Sequence, residues 1–268
     1  MSAWLDAPLG TISIHDLGLA QERRDAASPA SLRACVFLDK DGTLLAPEPS
    51  DTIAPLADAA RLRLVPGAGE ALARLQSAGL ALVIVTNESG IARGAFTRAQ
   101  FAHLQGALLR RLKDDFGVAI DDVAVCPHAP DAQGRPACLC RKPAPGMLVR
   151  AARAHGLDLA RSWMVGDMLD DVEAGHRAGT GGLLLDTGAE TAWRRSPLRE
   201  PDAVFSDWTS LADHLLNLHA TASRLAAHDA ASAPSENAAT GPRATTPRGA
   251  VPAVPHPPLP ATPAPAQA

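Results

Sequence analysis

Between residues 35 and 218, short apolar runs alternate with stretches whose apolar positions recur at helical spacing. Val36-Phe37-Leu38 and Ala81-Leu82-Val83-Ile84-Val85 are continuous and rich in branched side chains, and shorter runs fall near 123–125, 162–165, 182–185 and 203–205. Runs of this length without polar alternation predict strands buried on both faces. Pro66-Gly67 introduces a helix expected over 68–77, with Leu72 and Leu75 on one side and Gly79 ending it. Thr97 is placed to cap a helix over 98–115, where Phe101, Leu104, Leu108 and Leu112 share a face and read as core. Pro145-Gly146 opens a third amphipathic segment, 147–155. Strand then helix, repeated, predicts right-handed crossovers and an α/β fold: a three-layer, Rossmann-like parallel sheet with helices on both faces. No insertion between the strand ends suggests a large cap domain.

Reactive side chains gather where these strands end, which is where parallel sheets build their sites. The first strand runs into Asp39-Lys40-Asp41-Gly42-Thr43, and in extended chain the two acids share a face with Lys40 turned away. A solvated turn after a buried strand is the competing reading, since Asp and Gly are ordinary turn residues. Paired with other motifs, however, the two acids can divide labour, one as nucleophile and metal ligand, the other as proton shuttle. The second strand ends in Thr86-Asn87-Glu88-Ser89-Gly90, a cluster of hydroxyl and amide groups. Arg141-Lys142-Pro143 sets two cations before a helix start, and Gly166-Asp167-Met168-Leu169-Asp170-Asp171 repeats the pattern of strand, turn and acids. A nucleophile, a phosphate-binding hydroxyl, a cation and a metal-binding acid thus follow one another along the chain.

Cys126 and His128 flank Pro127, and Cys138 and Cys140 flank Leu139. Three thiolates and an imidazole are the donor set of a closed tetrahedral zinc site. A disulfide or a cluster of buried thiols is the competing reading, and a reducing compartment disfavours the disulfide. Such a zinc-binding loop leads straight into Arg141 and Lys142, so its job would be to stiffen the segment that carries the phosphate-binding cations; its metal is structural. Cys35, within the first strand, reads as a small buried hydrophobe.

Over roughly residues 32–218 the chain resembles the haloacid dehalogenase (HAD) superfamily of phosphohydrolases, whose four motifs match Asp39-Lys40-Asp41-Gly42-Thr43, Thr86-Asn87, Lys142-Pro143 and Gly166-Asp167 with Asp171. The stretch from Thr86 to Gly94, Cys126-Pro127-His128, the run from Cys138 to Pro143 and Pro145-Gly146 are similar to a narrower group, the heptose-bisphosphate and histidinol-phosphate phosphatases. The resemblance implies magnesium-dependent hydrolysis of a phosphomonoester through an aspartyl-phosphate. Mg²⁺ would lie on the carboxylates of Asp39 and Asp167 and the backbone carbonyl of Asp41. Asp39 would attack, Asp41 would act as acid and base, and Thr86 and Lys142 would bind the phosphoryl oxygens. Asn87, Ser89 and Arg141 are the expected substrate contacts, with Gly42 shaping the turn. Asp171 would orient Lys142 or metal-bound water, with Asp170 ranked below it.

Departures from the narrower group concern the substrate. Leu45-Ala46-Pro47-Glu48-Pro49-Ser50 replaces the sugar-reading stretch after the nucleophile turn, Glu88 stands for a glutamine, and Met168 stands for a basic residue. A sugar phosphate such as a heptose bisphosphate is the leading expectation. Histidinol phosphate or another small phosphorylated metabolite is the alternative, and a scaffold without activity is disfavoured because every catalytic residue type is present.

Composition refines this only slightly. The chain has 268 residues, 25 basic against 29 acidic, for a formal charge of -4. That balance gives no polybasic case for nucleic acid or an anionic membrane. No apolar run nears the about 20 residues of a membrane span, and residues 1–31 lack the basic start and apolar core of an export signal. A cytoplasmic monomer is expected, with an N-terminal arm over 1–31, a phosphatase domain over 32–219, and a disordered Ala/Pro-rich tail over 220–268.

Overall fold

A computed structural model of the chain describes residues 32–46 and 62–232. The expected N-terminal arm, and the Pro47 to Ser50 part of the altered turn, lie outside the described residues. The chain divides into two units, Met1–Ala227 and His228–Ala268, and every candidate site residue belongs to the first.

Six parallel strands form one sheet in the order β3-β2-β1-β4-β5-β6. They are β1 (Cys35–Leu38), β2 (Ala81–Asn87), β3 (Asp122–Cys126), β4 (Trp163–Gly166), β5 (Gly181–Leu185) and β6 (Ala203–Phe205). Strand order grows outward from β1 in one direction, then returns to place β4 on its other side. That reversal leaves a crevice beyond the carboxyl ends of β1 and β4, the position at which open α/β sheets bind ligands.

Alternating side chains on the strands feed two cores. Val36 and Leu38 of β1, with Leu82 and Ile84 of β2, pack against α1 (Ala68–Ser77), α3 (Arg98–Phe116) and the start of α6 (Trp208–Ser232). Cys35, Phe37, Val83 and Val85 face the other way, toward α4 (Gly146–His155). The cluster of Leu169, Val172 and Leu184 joins α5 (Leu169–Ala178) to β5. Fully buried strands on both faces explain the unbroken apolar runs.

The local signals hold where the sequence carries them. Thr97 and Gln100 make a reciprocal capping box at the start of α3, with Gln100 N–H donating to Thr97 Oγ1 at 3.1 Å and Thr97 N–H to Gln100 Oε1 at 2.8 Å. Gly117 ends that helix in the left-handed conformation. Two further helices, the short α2 (Ser89–Ala92) and α5, follow directly on strand-end motifs. One boundary needs correction. The tail was expected to begin at residue 220, yet α6 continues to Ser232. The stretch beyond 220 is rich in alanine, and no proline interrupts it before Pro234. No cap domain occurs among the described residues, and none of their helices is long and apolar enough to cross a membrane.

Candidate active site

Asp39 is the first residue past β1, and its N–H donates to the Val165 carbonyl of β4 at 2.9 Å. This bond fixes the nucleophile candidate at the crevice, beside the end of the strand that delivers Asp167. Gly42 then turns the chain with φ 85°, where a side chain would be strained. It also lies so close to Asp167 that a Cβ would stand 1.9 Å from Oδ2 of that carboxylate. Glycine is therefore required twice, by its backbone conformation and by the acid packed on it. Thr43 contributes a function that the sequence did not disclose: its hydroxyl donates to Asp167 Oδ1 at 3.1 Å. The Thr43 carbonyl is held in turn by the Trp208 indole N–H at 2.8 Å.

The carboxylates of Asp39, Asp167 and Asp171 all place an oxygen within 4.8 Å of one another. One cation faces them. Lys142, almost wholly buried, donates to Asp39 Oδ1 at 2.5 Å, to Asp171 Oδ1 at 2.7 Å and to the Val85 carbonyl at 2.8 Å. All three of its donors are thereby used. Burial alone would push its pKa down, but Asp171 and Asp39 more than offset this, and it is raised. Asp167 is pushed up to about 6, mainly by burial and then by the charge of Asp39. Asp171 rises to about 7, again mainly by burial, with Lys142 opposing the shift. Three acids against one ammonium leave the cluster short of positive charge. Carboxylate oxygens gathered this closely suit a hard divalent cation, so the donor set fits the expected magnesium site.

The other expected residues fall in and around this cluster. Asp171 pairs with Lys142 at 2.7 Å, while its second oxygen accepts from the Met168 N–H at 3.1 Å. Asp170 points away, to Arg199 at 2.7 Å. Asp41 presents a side chain 64% exposed, open to an incoming substrate and to water. Thr86, at the end of β2, is buried and donates to Glu88 Oε1 at 3.2 Å. Asn87, expected among the substrate contacts, is otherwise engaged. Its amide donates to the Lys142 carbonyl at 3.2 Å and accepts from the Lys142 N–H at 3.1 Å. The residue thus holds the lysine loop in place. Ser89 is buried at the start of α2, and Arg141 Nη1 reaches the His128 carbonyl at 3.4 Å.

Lys40, expected to be turned away from the two acids, reaches back to one of them. Its side chain is buried, forms an ion pair with Glu88, reaches Asp41 at 3.4 Å and lies over the Phe101 ring, 5.2 Å from the centroid. Glu88 is thus the buried counter-charge of Lys40, which accounts for an acid at this position. The pairing spans 48 residues of sequence, so local pattern gives no sign of it.

Beside the crevice, Cys126, His128, Cys138 and Cys140 bring their donor atoms within 4.8 Å of one another. The three sulfur–sulfur separations are 3.2, 3.3 and 3.6 Å, and none of these cysteines forms a disulfide. A tetrahedral zinc with bonds of about 2.3 Å sets its sulfurs about 3.8 Å apart, so the cluster has the size and the donors of such a site. Cys35 lies apart from it, fully buried, and burial raises its thiol pKa well above the usual value.

The fold and this arrangement of acids define a hydrolase of the HAD type, and the family described as HAD-hydrolase-like matches residues 139–211. Similarity to full-length relatives narrows this. The D-glycero-β-D-manno-heptose-1,7-bisphosphate 7-phosphatase of Haemophilus ducreyi is 42% identical over 149 residues, covering 55% of this chain and 79% of that one. The enzyme of the same name from Yersinia pestis is 38% identical over 184 residues, covering 66% of this chain and 91% of its own. Among solved structures, the D,D-heptose 1,7-bisphosphate phosphatase of B. bronchiseptica, complexed with magnesium and phosphate, superposes with a TM-score of 0.57 at 32% identity, over 69% of this chain and 99% of that one. The chain belongs to the heptose-bisphosphate phosphatase family of HAD-like hydrolases.

Proposed function

We propose that this phosphatase transfers the phosphoryl group of a sugar phosphate to Asp39 and then to water, and that its substrate is a heptose bisphosphate of the kind its relatives are named for. The observation that carries the reading is the convergence of Asp39, Asp167 and Asp171 on one another beside the buried ammonium of Lys142. Asp39 and Asp167, with the Asp41 carbonyl, would hold Mg²⁺, which when bound offsets the negative charge of the phosphoryl group and the attacking carboxylate.

Lys142 holds Oδ1 of Asp39, leaving the other oxygen to attack phosphorus in line with the leaving alkoxide. Asp41 gives that alkoxide a proton as the ester bond breaks. The same carboxylate then takes a proton from the water that attacks the aspartyl-phosphate, and inorganic phosphate leaves. On substrate binding, Thr86 would exchange its bond to Glu88, and Lys142 one of its three bonds, for the phosphoryl oxygens, the lysine as a compact point charge. Asn87 contributes by positioning Lys142, and Arg141 faces the remainder of the substrate. Cys126, His128, Cys138 and Cys140 would hold a structural Zn²⁺ that stiffens the segment leading to Arg141 and Lys142. Reduced thiols at this cluster suit a cytoplasmic setting.

Turnover of a panel of phosphate esters, with and without added Mg²⁺, tests the assignment. The panel includes D-glycero-β-D-manno-heptose 1,7-bisphosphate, histidinol phosphate and p-nitrophenyl phosphate. Magnesium-dependent release of phosphate, fastest from the heptose bisphosphate, is expected. Preference for histidinol phosphate would reassign the substrate, and hydrolysis indifferent to magnesium would remove the mechanism.

A further inference from the structure

The loop between β5 and β6 is fastened to the rim of the active site by a buried carboxylate. Glu190, only 6% exposed, accepts from the N–H of Leu169, the first residue of α5, at 3.0 Å. Its other oxygen accepts from the N–H groups of Ala192 and Trp193 at 2.9 and 3.3 Å. Leu169 follows Asp167 by two residues, so a single carboxylate separates the loop backbone from the segment that carries the metal-binding acid. The far end of the loop is tied to the same helix, with Arg199 Nη1 at 2.7 Å from Asp170 and 2.9 Å from Glu173.

Between these anchors Trp193 sits at φ 40°, the one non-glycine residue with positive φ among those described. Such a conformation persists in a bulky residue only where the surroundings enforce it. The indole of Trp193 is partly exposed, with the Arg195 guanidinium over the ring at 5.4 Å from the centroid. Arg194, beside them, is exposed and forms no ion pair among the described residues. Packing alone would bury a tryptophan, and the start of α5 is already satisfied by Glu190 and Asp171. An aromatic face beside two guanidiniums is suited to a sugar bearing an anion, since the ring packs on C–H groups and the planar cations fork around phosphate oxygens. Arg195 also touches Glu200 at 3.3 Å, but that pair is exposed on both sides and readily yields to a dianion.

We propose that Trp193, Arg194 and Arg195 form a subsite for the end of the substrate that is not cleaved, binding a second phosphate carried by a sugar phosphate. The proposal deepens the heptose-bisphosphate reading and rests on it. It also bears on the basic residue that the resemblance leads one to expect where Met168 stands: the β5–β6 loop carries two guanidiniums next to the backbone that Glu190 ties to Leu169.

The test compares wild type with the Arg194→Ala/Arg195→Ala variant on D-glycero-β-D-manno-heptose 1,7-bisphosphate and on p-nitrophenyl phosphate, which lacks both sugar and second phosphate. The ratio of kcat/KM for the bisphosphate to that for p-nitrophenyl phosphate is expected to fall about tenfold or more, as loss of charge-assisted contacts implies, with the loss appearing in KM. An unchanged ratio overturns the subsite, whether both activities hold or both fall together. Wild-type protein that cleaves p-nitrophenyl phosphate but not the bisphosphate overturns the subsite while phosphatase chemistry stands. Wild-type protein that cleaves neither overturns the underlying reading as well.

Discussion

Asp167 bears the strain of a site with three acids and one ammonium. Its carboxyl is pushed up to about 6 by burial and by Asp39, against about 3.9 for an unfolded aspartate. Between those values the folded chain holds a proton that the unfolded chain has released, so stability falls as pH rises through this window. Magnesium-free protein is therefore expected to melt at a lower temperature at pH 7.5 than at pH 5, and added Mg²⁺ is expected to recover stability mainly at the higher pH. Asp167→Asn removes the repelling charge; in thermal melts it should flatten the pH dependence and abolish stabilisation by Mg²⁺. A variant with the pH profile and magnesium response of wild type would remove Asp167 from the metal site. At this scale the sequence disclosed the acids and Lys142, because they sit in short motifs at strand ends. It did not disclose the Lys40–Glu88 pair or the Thr43–Asp167 bond, since each joins residues far apart in sequence.

At the scale of elements, the loop between β3 and α4 joins the cysteine cluster to Lys142. Gly146 shows how tightly it is folded, since a Cβ there would meet the Leu139 carbonyl at 2.2 Å. Zinc in the four-residue cluster would hold Arg141 and Lys142 in register with β1. Purified protein is expected to contain about one zinc per chain, measured by elemental analysis, and Cys138→Ser to lose it together with most phosphatase activity. Full activity in a zinc-free Cys138→Ser protein would sever the link between loop and site. The elements themselves were legible where caps and apolar periodicity agreed, as in α1, α3 and α4. α5 escaped notice because its first turn carries Asp170 and Asp171, which read as site chemistry; acids at a helix N-terminus also favour the helix through its dipole.

Across the whole molecule, the sheet order explains why four motifs spread from Asp39 to Asp171 meet at one point. β1 lies at the reversal of strand order, and β2 and β4 flank it with Thr86 and Asp167 at their ends. Strand-and-helix alternation implied a parallel sheet, but strand order is a product of long-range pairing and is not written in any local run. The match to the Yersinia pestis relative covers 66% of this chain, and every proposed catalytic and metal-binding residue lies between Asp39 and Asp171. Removing residues 233–268 is accordingly expected to leave magnesium-dependent turnover within about twofold of the full chain, an effect of the size usual for changes remote from a site. A large loss in steady-state assays would show that the segment takes part in the site.

Covalent capture of the phosphoryl group tests the central claim most directly. The enzyme is mixed with a substrate labelled at phosphorus in the presence of Mg²⁺, quenched in acid within the first turnover, and mapped by peptide mass spectrometry. The account predicts label on Asp39 in wild type, and neither label nor turnover in Asp39→Asn protein that remains folded. Label on another residue, or turnover that persists in Asp39→Asn, would contradict it.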